Sequence, residues 1–307
     1  LLEAGNSKKS PWLYIPGGYF KTIFNPDLNW GYETLPEKNL FDRRISWPRG
    51  RVIGGSGVIN GMVYIRGQKE DFDNWEAKGN KGWSYTDVLP YFLKSERQDK
   101  NNNELSSKFH NSKGLLTVTD YPDQNILCET FIKAANEQNI EYNKDFNGAS
   151  QSGAGYYQIT TKNWLRSDTS SAFLKSALKR NNFKLLKKSL VTKVIIKNKC
   201  VEGVEYIQNQ ISKFVKCRKE VIISAGTINS PQLLQLSGIG NAKHLKNYNV
   251  NPIINSPQVG RNLQDHLQCQ LVYNCKQPVS INDDLVSFKR KLKIFLQYCF
   301  FKTGPLA

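Results

Sequence analysis

The sequence predicts an α/β fold: an incomplete dinucleotide-binding domain carrying an antiparallel meander. Three observations predict it. Residues 1–5, LLEAG, read as the end of a buried strand closed by an acid and a small turn. From Phe183 the apolar period becomes two, over three successive runs, LVTKVIIKN, CVEGVEYIQ and ISKFVKCRKEVIIS. Residues 225–240 then pass from a strand end through Ser230 and Pro231 into a helical pattern stopped by Gly238.

In order along the chain, Glu3 is the acid of the first segment. In a dinucleotide-binding fold such an acid follows the glycine fingerprint by about twenty residues and hydrogen-bonds the adenosine ribose. No fingerprint precedes Glu3, so the chain reads as an internal fragment lacking its first strand and glycine turn. Residues 6–47, with PWLYIPGGYF and NWGYET, show no sustained period. Their aromatics either cover a flat ligand or pack beneath a long loop.

Residues 49–73 are dense in glycine: Gly50, Gly54, Gly55, Gly57, Gly61 and Gly67. Removing side chains lets backbone N–H groups approach an anionic or carbonyl-rich ligand, and Ser56 and Asn60 add side-chain hydrogen bonds. A glycine-rich surface turn is the other reading. The spacing from Gly50 to Gly55 imitates a phosphate-binding P-loop, but Ser56 and Gly57 stand where Lys and Ser/Thr belong. A dinucleotide fingerprint is excluded too, because Asn60 takes the third glycine place and the loop follows Ser46, Trp47 and Pro48 rather than a buried strand.

Next, Thr86 or Asp87 caps a short helix carrying Val88, Leu89, Phe92 and Leu93, in which Pro90 is tolerable only in the first turn. Residues 99–113 are polar and read as an exposed loop. Residues 115–119 form a candidate strand, and 126–138 a helix with Leu127, Phe131 and Ala135 on one face. Asp168 or Thr169 begins a further helix. In the meander, turns fall near Lys199 and Asn209, and the last strand continues through Val221, Ile222 and Ile223. Residues 284–301 form one amphipathic helix, with Leu285, Phe288, Leu292, Phe295, Leu296 and Cys299 opposite Lys289, Arg290 and Lys293, suited to packing on a domain rather than to a membrane surface.

These motifs resemble the glucose-methanol-choline (GMC) oxidoreductases, a family of FAD-dependent alcohol-oxidising enzymes. The first family signature matches at Gly50, Gly54, Gly55, Ser56, Gly57, Asn60, Tyr64, Gly67 and Asp73, and the second as GTINSPQLLQLSGIG at 226–240. RGQKEDFDNW (66–75), GWSYTDVLPYF (82–92) and VGRNLQDH (259–266) are similar to further family blocks. The chain looks most like the insect glucose dehydrogenase-like branch, although Gly57 stands where that branch usually has a second serine.

The resemblance implies FAD as cofactor, an alcohol or sugar substrate, a quinone-type electron acceptor and an extracellular, secreted protein. It implies flavin and pyrophosphate contacts at Gly54, Gly55, Ser56, Asn60, Gly61, Met62 and Val63, and an adenine contact at the main chain of Val191. Asp265 and His266 lie beside the flavin by resemblance, or brace their own loop. It implies an FAD-binding region over 1–268 with substrate-side segments interleaved around 85–180, and the start of the substrate-binding region over 269–307, so that an interleaved, incomplete α+β substrate domain accompanies the dinucleotide fold. The family's catalytic histidine and its His or Asn partner match no residue here, so no catalytic residue is expected in this stretch. The alternative is a truncated or decayed paralogue serving as a binding or secreted effector protein.

Composition narrows the remaining classes. The 43 basic and 26 acidic residues give a net charge of +17, but the cations are scattered and no nucleic-acid-reading motif accompanies them, so no nucleic-acid partner is expected. No stretch is apolar for long enough to form a transmembrane segment. Cys128, Cys200, Cys217, Cys269, Cys275 and Cys299 show no C-x-x-C spacing, so the expectation is buried free thiols and no metal, with a facing pair at Cys200 and Cys217 as the other reading. His110, His244 and His266 are far apart and read as structural.

Overall fold

A computed structural model describes residues 1–7, 9–99, 105–122, 124–266, 268 and 270–307. The chain is a mixed α/β protein and separates into two compact units, Leu1–Ser7 with Phe183–Tyr273, and Lys8–Asn182 with Asn274–Ala307.

The first unit is built on the meander Ser189–Lys197, Cys200–Gln208 and Ile211–Lys216, antiparallel throughout. Its two reversals are two-residue turns at Asn198–Lys199 (φ 50° and 63°) and Asn209–Gln210 (φ 52° and 65°), the left-handed pair that matches the twist of adjoining strands. Register shifts between Val191 and Lys193 and between Ile195 and Ile196 bend the first strand. Between the shifts Val194 stays opposite Val204, and its N–H donates to Ser237 Oγ at 2.8 Å, while that hydroxyl donates to Leu233 O at 2.6 Å. Ser237 thus ties the strand to the end of the helix Gly226–Leu236.

Residues 1–5 run parallel to 184–189. Leu2 bridges Leu186, the Glu3 N–H donates to Leu186 O at 2.9 Å, and the Ser189 N–H donates to Glu3 O at 2.8 Å. The run 221–223 forms no strand: Ile222 is exposed, and no strand of the described residues pairs with it. The helix expected to start at Ser230 begins instead at Gly226, whose φ of 89° turns the chain sharply. Ser230 sits inside the helix and its Oγ accepts the Ala225 N–H at 3.1 Å, with Pro231 also interior.

The second unit gathers short elements around a core of Leu13, Val52, Val58 and Ile59, with Leu28 against it. The helix Tyr85–Ser95 is capped by Ser84 rather than Thr86 or Asp87. Asp87 is instead the reciprocal partner in a capping box, and the helix accommodates Pro90 beyond its first turn. Glu96–Gln98 and Leu116–Val118 pair in parallel. The polar loop expected at 99–113 falls partly outside the described residues.

The helix Ile126–Glu137 buries Ile132 and Ala135, whereas Leu127 and Phe131 are exposed, so its buried stripe is rotated from the expected one. The expected helix over 284–301 is two helices, Ile281–Val286 and Phe288–Phe301, because Ser287 is extended (φ −94°, ψ 128°). Tyr298 anchors the second, donating to Trp164 O at 2.8 Å. No helix of the described residues is long and apolar enough to cross a membrane.

The cysteines correct an expectation. Cys128, Cys200, Cys217, Cys275 and Cys299 are free thiols, but four are exposed and Cys217 is half-buried. Cys200 lies opposite Lys197 in the ladder, while the Cys217 thiol donates to Val201 O at 3.2 Å. Cys269 lies outside the described residues. Among the described residues no group of His, Cys, Asp and Glu could hold a metal ion.

Candidate cofactor loop

The glycine-rich segment lies wholly in the second unit, and its glycines divide by the reason each is needed. A Cβ on Gly50 would stand 2.4 Å from the Gly55 carbonyl, and one on Gly54 2.6 Å from Val58 Cγ2. These two glycines are demanded by packing, and Gly54 also by its φ of 98°. Gly55, at φ 59°, is demanded by backbone conformation.

Gly57 and Gly61 are different. Neither has a positive φ, and a Cβ would meet nothing within 4 Å at Gly61 and only Thr169 Oγ1, at 4.0 Å, at Gly57. Nothing inside the described protein requires glycine there. A ligand lying against the backbone would.

Hydrogen bonds fix the loop's shape. Gly55 N–H donates to Val52 O at 2.7 Å, opening a single 3-10 turn over Gly55–Val58. Ser56 Oγ accepts the Gly50 N–H at 3.0 Å, closing the loop on itself. Met62 is buried with φ 64°; its N–H donates to Asn60 Oδ1 at 3.1 Å and its carbonyl accepts the Thr160 N–H at 2.9 Å. Val63, half exposed, bridges Ile159. Ser56, Asn60, Gly61 and Val63 therefore form the open face, while Met62 pins it from behind.

A second segment, 166–171, braces this loop from more than a hundred residues away. Arg166 Nη1 donates to Asn60 Oδ1 at 2.8 Å and to Gly57 O at 3.3 Å. Thr169 Oγ1 donates to Gly54 O at 3.0 Å. Asp168 caps the turn that presents them, its Oδ1 accepting the Ser170 N–H at 2.8 Å. Nothing in the local sequence pairs Arg166 with Asn60; the only signal was a polar cluster at a helix start.

The remaining candidate residues lie in the first unit. Glu3 Oε1 accepts the Gly5 N–H at 2.7 Å, and burial, partly opposed by that bond, raises its pKa. Val191 faces Tyr206 across the ladder beside the strand's first register shift. Asp265 and His266 are both exposed, and Asp265 Oδ1 accepts the His266 N–H at 2.9 Å, a bond that braces the turn locally.

A buried ionic network stands beside the loop's far end. Arg66 and Glu96 form an ion pair with both side chains almost fully buried. His110 places Nδ1 2.9 Å from Glu96 Oε1 and Nε2 3.0 Å from Asp145 Oδ2, so both ring nitrogens face carboxylates. Burial alone would push the imidazolium pKa down, but the bonds to Asp145 and Glu96 outweigh it and hold the pKa at about 9. Burial likewise opposes ionisation of Glu96 and Asp145, yet the His110 bonds, with the Arg66 charge, keep both carboxyls below their ordinary range.

The sign of the pH dependence follows. The His110 contribution is fully present below its ordinary value near 6.5 and is lost as pH rises through about 9. The Glu96 and Asp145 contributions are present above their ordinary values and are lost as pH falls through their depressed ones. Thermal unfolding of the full-length protein should therefore lose stability between pH 6.5 and 9 through this network, and His110→Gln should flatten that alkaline limb. An alkaline limb unchanged by His110→Gln would contradict this assignment.

With this geometry in place, comparison with known proteins gives a consistent result. The family profile described as GMC oxidoreductase matches residues 12–268. The chain is 37% identical over 310 residues to the alcohol dehydrogenase [acceptor] of Pseudomonas putida, covering 100% of this chain and 55% of that protein. It is 40% identical over 304 residues to the oxygen-dependent choline dehydrogenase of Sinorhizobium fredii, covering 99% and 54% respectively. Among solved structures, an FAD-dependent oxidoreductase from Chaetomium thermophilum superposes with a TM-score of 0.85 at 27% identity, over 99% of this chain and 55% of that one. The chain thus spans about half the length of the curated relatives it matches.

Proposed function

The chain belongs to the GMC oxidoreductase family, and from that premise we propose that it is part of an FAD-dependent oxidoreductase acting on the CH–OH group of an alcohol. The observation that carries the reading is the pair Gly57 and Gly61, which no conformation or packing inside the described protein explains. The cofactor is FAD, and the loop's Cβ-free face, its Ser56 and Asn60 edges and its rigid brace fit a large, flat, polar ligand held against backbone.

When bound, FAD supplies the acceptor for a hydride equivalent leaving the carbinol carbon. The residues of this chain bind and orient. Gly55, Gly57 and Gly61 admit the cofactor to the backbone, and Asn60 offers a polar contact. His110 does not take the hydroxyl proton, since both its ring nitrogens are engaged by carboxylates in a buried site.

Three finer readings extend this. A sugar or other alcohol as substrate and a quinone-type acceptor are supported by the resemblance of the signature to the glucose dehydrogenase-like branch, and so is a secreted, extracellular location. The test is anaerobic mixing of the purified full-length protein with a panel of alcohols and sugars, followed by a quinone or by oxygen. Bleaching of the flavin absorbance by at least one alcohol, with faster reoxidation by quinone, is expected. A bound flavin that no alcohol reduces contradicts the activity, and faster reoxidation by oxygen contradicts the acceptor.

A further inference from the structure

Asn60 is exposed, yet its carboxamide is held in one orientation. Oδ1 accepts the Met62 N–H at 3.1 Å and Arg166 Nη1 at 2.8 Å. Both partners are donors that cannot act as acceptors, so the oxygen must face inward and the NH2 outward. Among the described residues that NH2 has no acceptor.

Arg166 is an unusual group to spend on this task. The residue is 3% exposed, its Nε and Nη2 are buried without a hydrogen-bond partner among the described residues, and burial lowers its pKa to about 10 despite the nearby charge of Asp168. A guanidinium in that state costs stability, because desolvated donors are left unsatisfied. What it secures is specific: the Gly57 carbonyl and the Asn60 oxygen, the two points flanking the open face of the loop.

We infer that Arg166 is a positioning residue that fixes Asn60 as an outward hydrogen-bond donor, so that the loop selects a ligand presenting an acceptor atom at that point. Arg166 acts through Asn60 and Gly57, from beneath the loop. This inference rests on the reading of the loop as an FAD site and adds which chemistry the loop demands there: an acceptor oxygen or nitrogen of the flavin or its phosphates.

The test uses full-length apoprotein, titrated with FAD by fluorescence quenching, with apoprotein melting measured alongside. Asn60→Asp retains an oxygen for both the Met62 N–H and Arg166 but replaces the outward donor with an acceptor. It should keep the apoprotein melting temperature and weaken FAD binding by about tenfold or more. Arg166→Met removes one of the two donors that hold the Asn60 oxygen, leaving only the Met62 N–H, and should weaken binding by about tenfold, with partial recovery in Arg166→Lys. In the double variant Arg166→Met with Asn60→Ala, the loss should not exceed that of the larger single change.

Wild-type affinity in Asn60→Asp overturns the inference, and so do multiplicative losses in the double variant. If Arg166→Met fails to fold, Asn60→Asp still decides, because it leaves the guanidinium in place. Wild-type apoprotein that takes up no FAD refutes the underlying FAD reading itself, an outcome distinct from variants that bind FAD as tightly as wild type.

Discussion

Gly61→Val in the full-length protein is expected to abolish most FAD binding while leaving the apoprotein fold intact. The backbone at Gly61 does not need positive φ, the residue is exposed, and a Cβ there meets no protein atom within 4 Å, so the protein itself leaves space at that point. A cofactor lying on the loop does not. The affinity loss should be on the order of a hundredfold, about 2.7 kcal/mol, with an apoprotein melting temperature within about 2 °C of wild type. Gly50→Ala is the contrasting case. Its Cβ would stand 2.4 Å from the Gly55 carbonyl, so the loop must deform, and both apoprotein stability and flavin content should fall. Unchanged FAD affinity in Gly61→Val would make the loop a surface turn.

The largest stability loss is expected from Glu96→Gln. Glu96 is fully buried and, among the described residues, is the one group that meets Arg66, His110 and the Tyr64 hydroxyl together. Neutralising it leaves two buried cations that shared one carboxylate, with only Asp145 among the described residues to compensate. Breaking a buried pair by removing one partner costs about 3–5 kcal/mol, which lowers melting by on the order of 10 °C in a domain of this size. Because His110 loses one of its two carboxylate partners, the alkaline limb of the stability profile should move to lower pH as well. A loss under about 1 kcal/mol would mean that the network is solvated in solution.

Much of the cofactor loop was legible in the sequence because glycine reports backbone geometry and close approach locally. The meander was legible for the same reason: Asn198 and Asn209 open the two left-handed turns, and the strands between them alternate with period two. Local chemistry also suggested the starts of several helices, but it placed two of them wrongly. Ser84, not Thr86 or Asp87, is the N-cap, and Gly226, not Ser230, opens the helix. In each case several short polar residues compete for the cap, and tertiary packing decides between them.

What the sequence could not show depends on distant pairing. The apolar run at 221–223 reads as a strand from composition, but a strand needs a neighbour, and none of the described residues supplies one. The exposed face of the helix Ile126–Glu137 carries Leu127 and Phe131, which hydrophobic periodicity assigns to a core. Arg166 reaches Asn60 across 106 residues, and Arg66, Glu96, His110 and Asp145 converge from four separate segments. No local pattern encodes these contacts, yet they hold the loop and the surrounding unit in shape.

Hydrogen exchange at the backbone amides of residues 54–63, with and without FAD added to the full-length apoprotein, tests the central claim most directly. If this loop holds the cofactor, FAD should slow exchange most strongly across Gly55–Val58 and Gly61, with Asn60 and Val63 following, while the meander turn at Asn209 and Gln210 stays unchanged. If FAD binds and protects other segments but leaves residues 54–63 exchanging at the apoprotein rate, the assignment of the loop is contradicted.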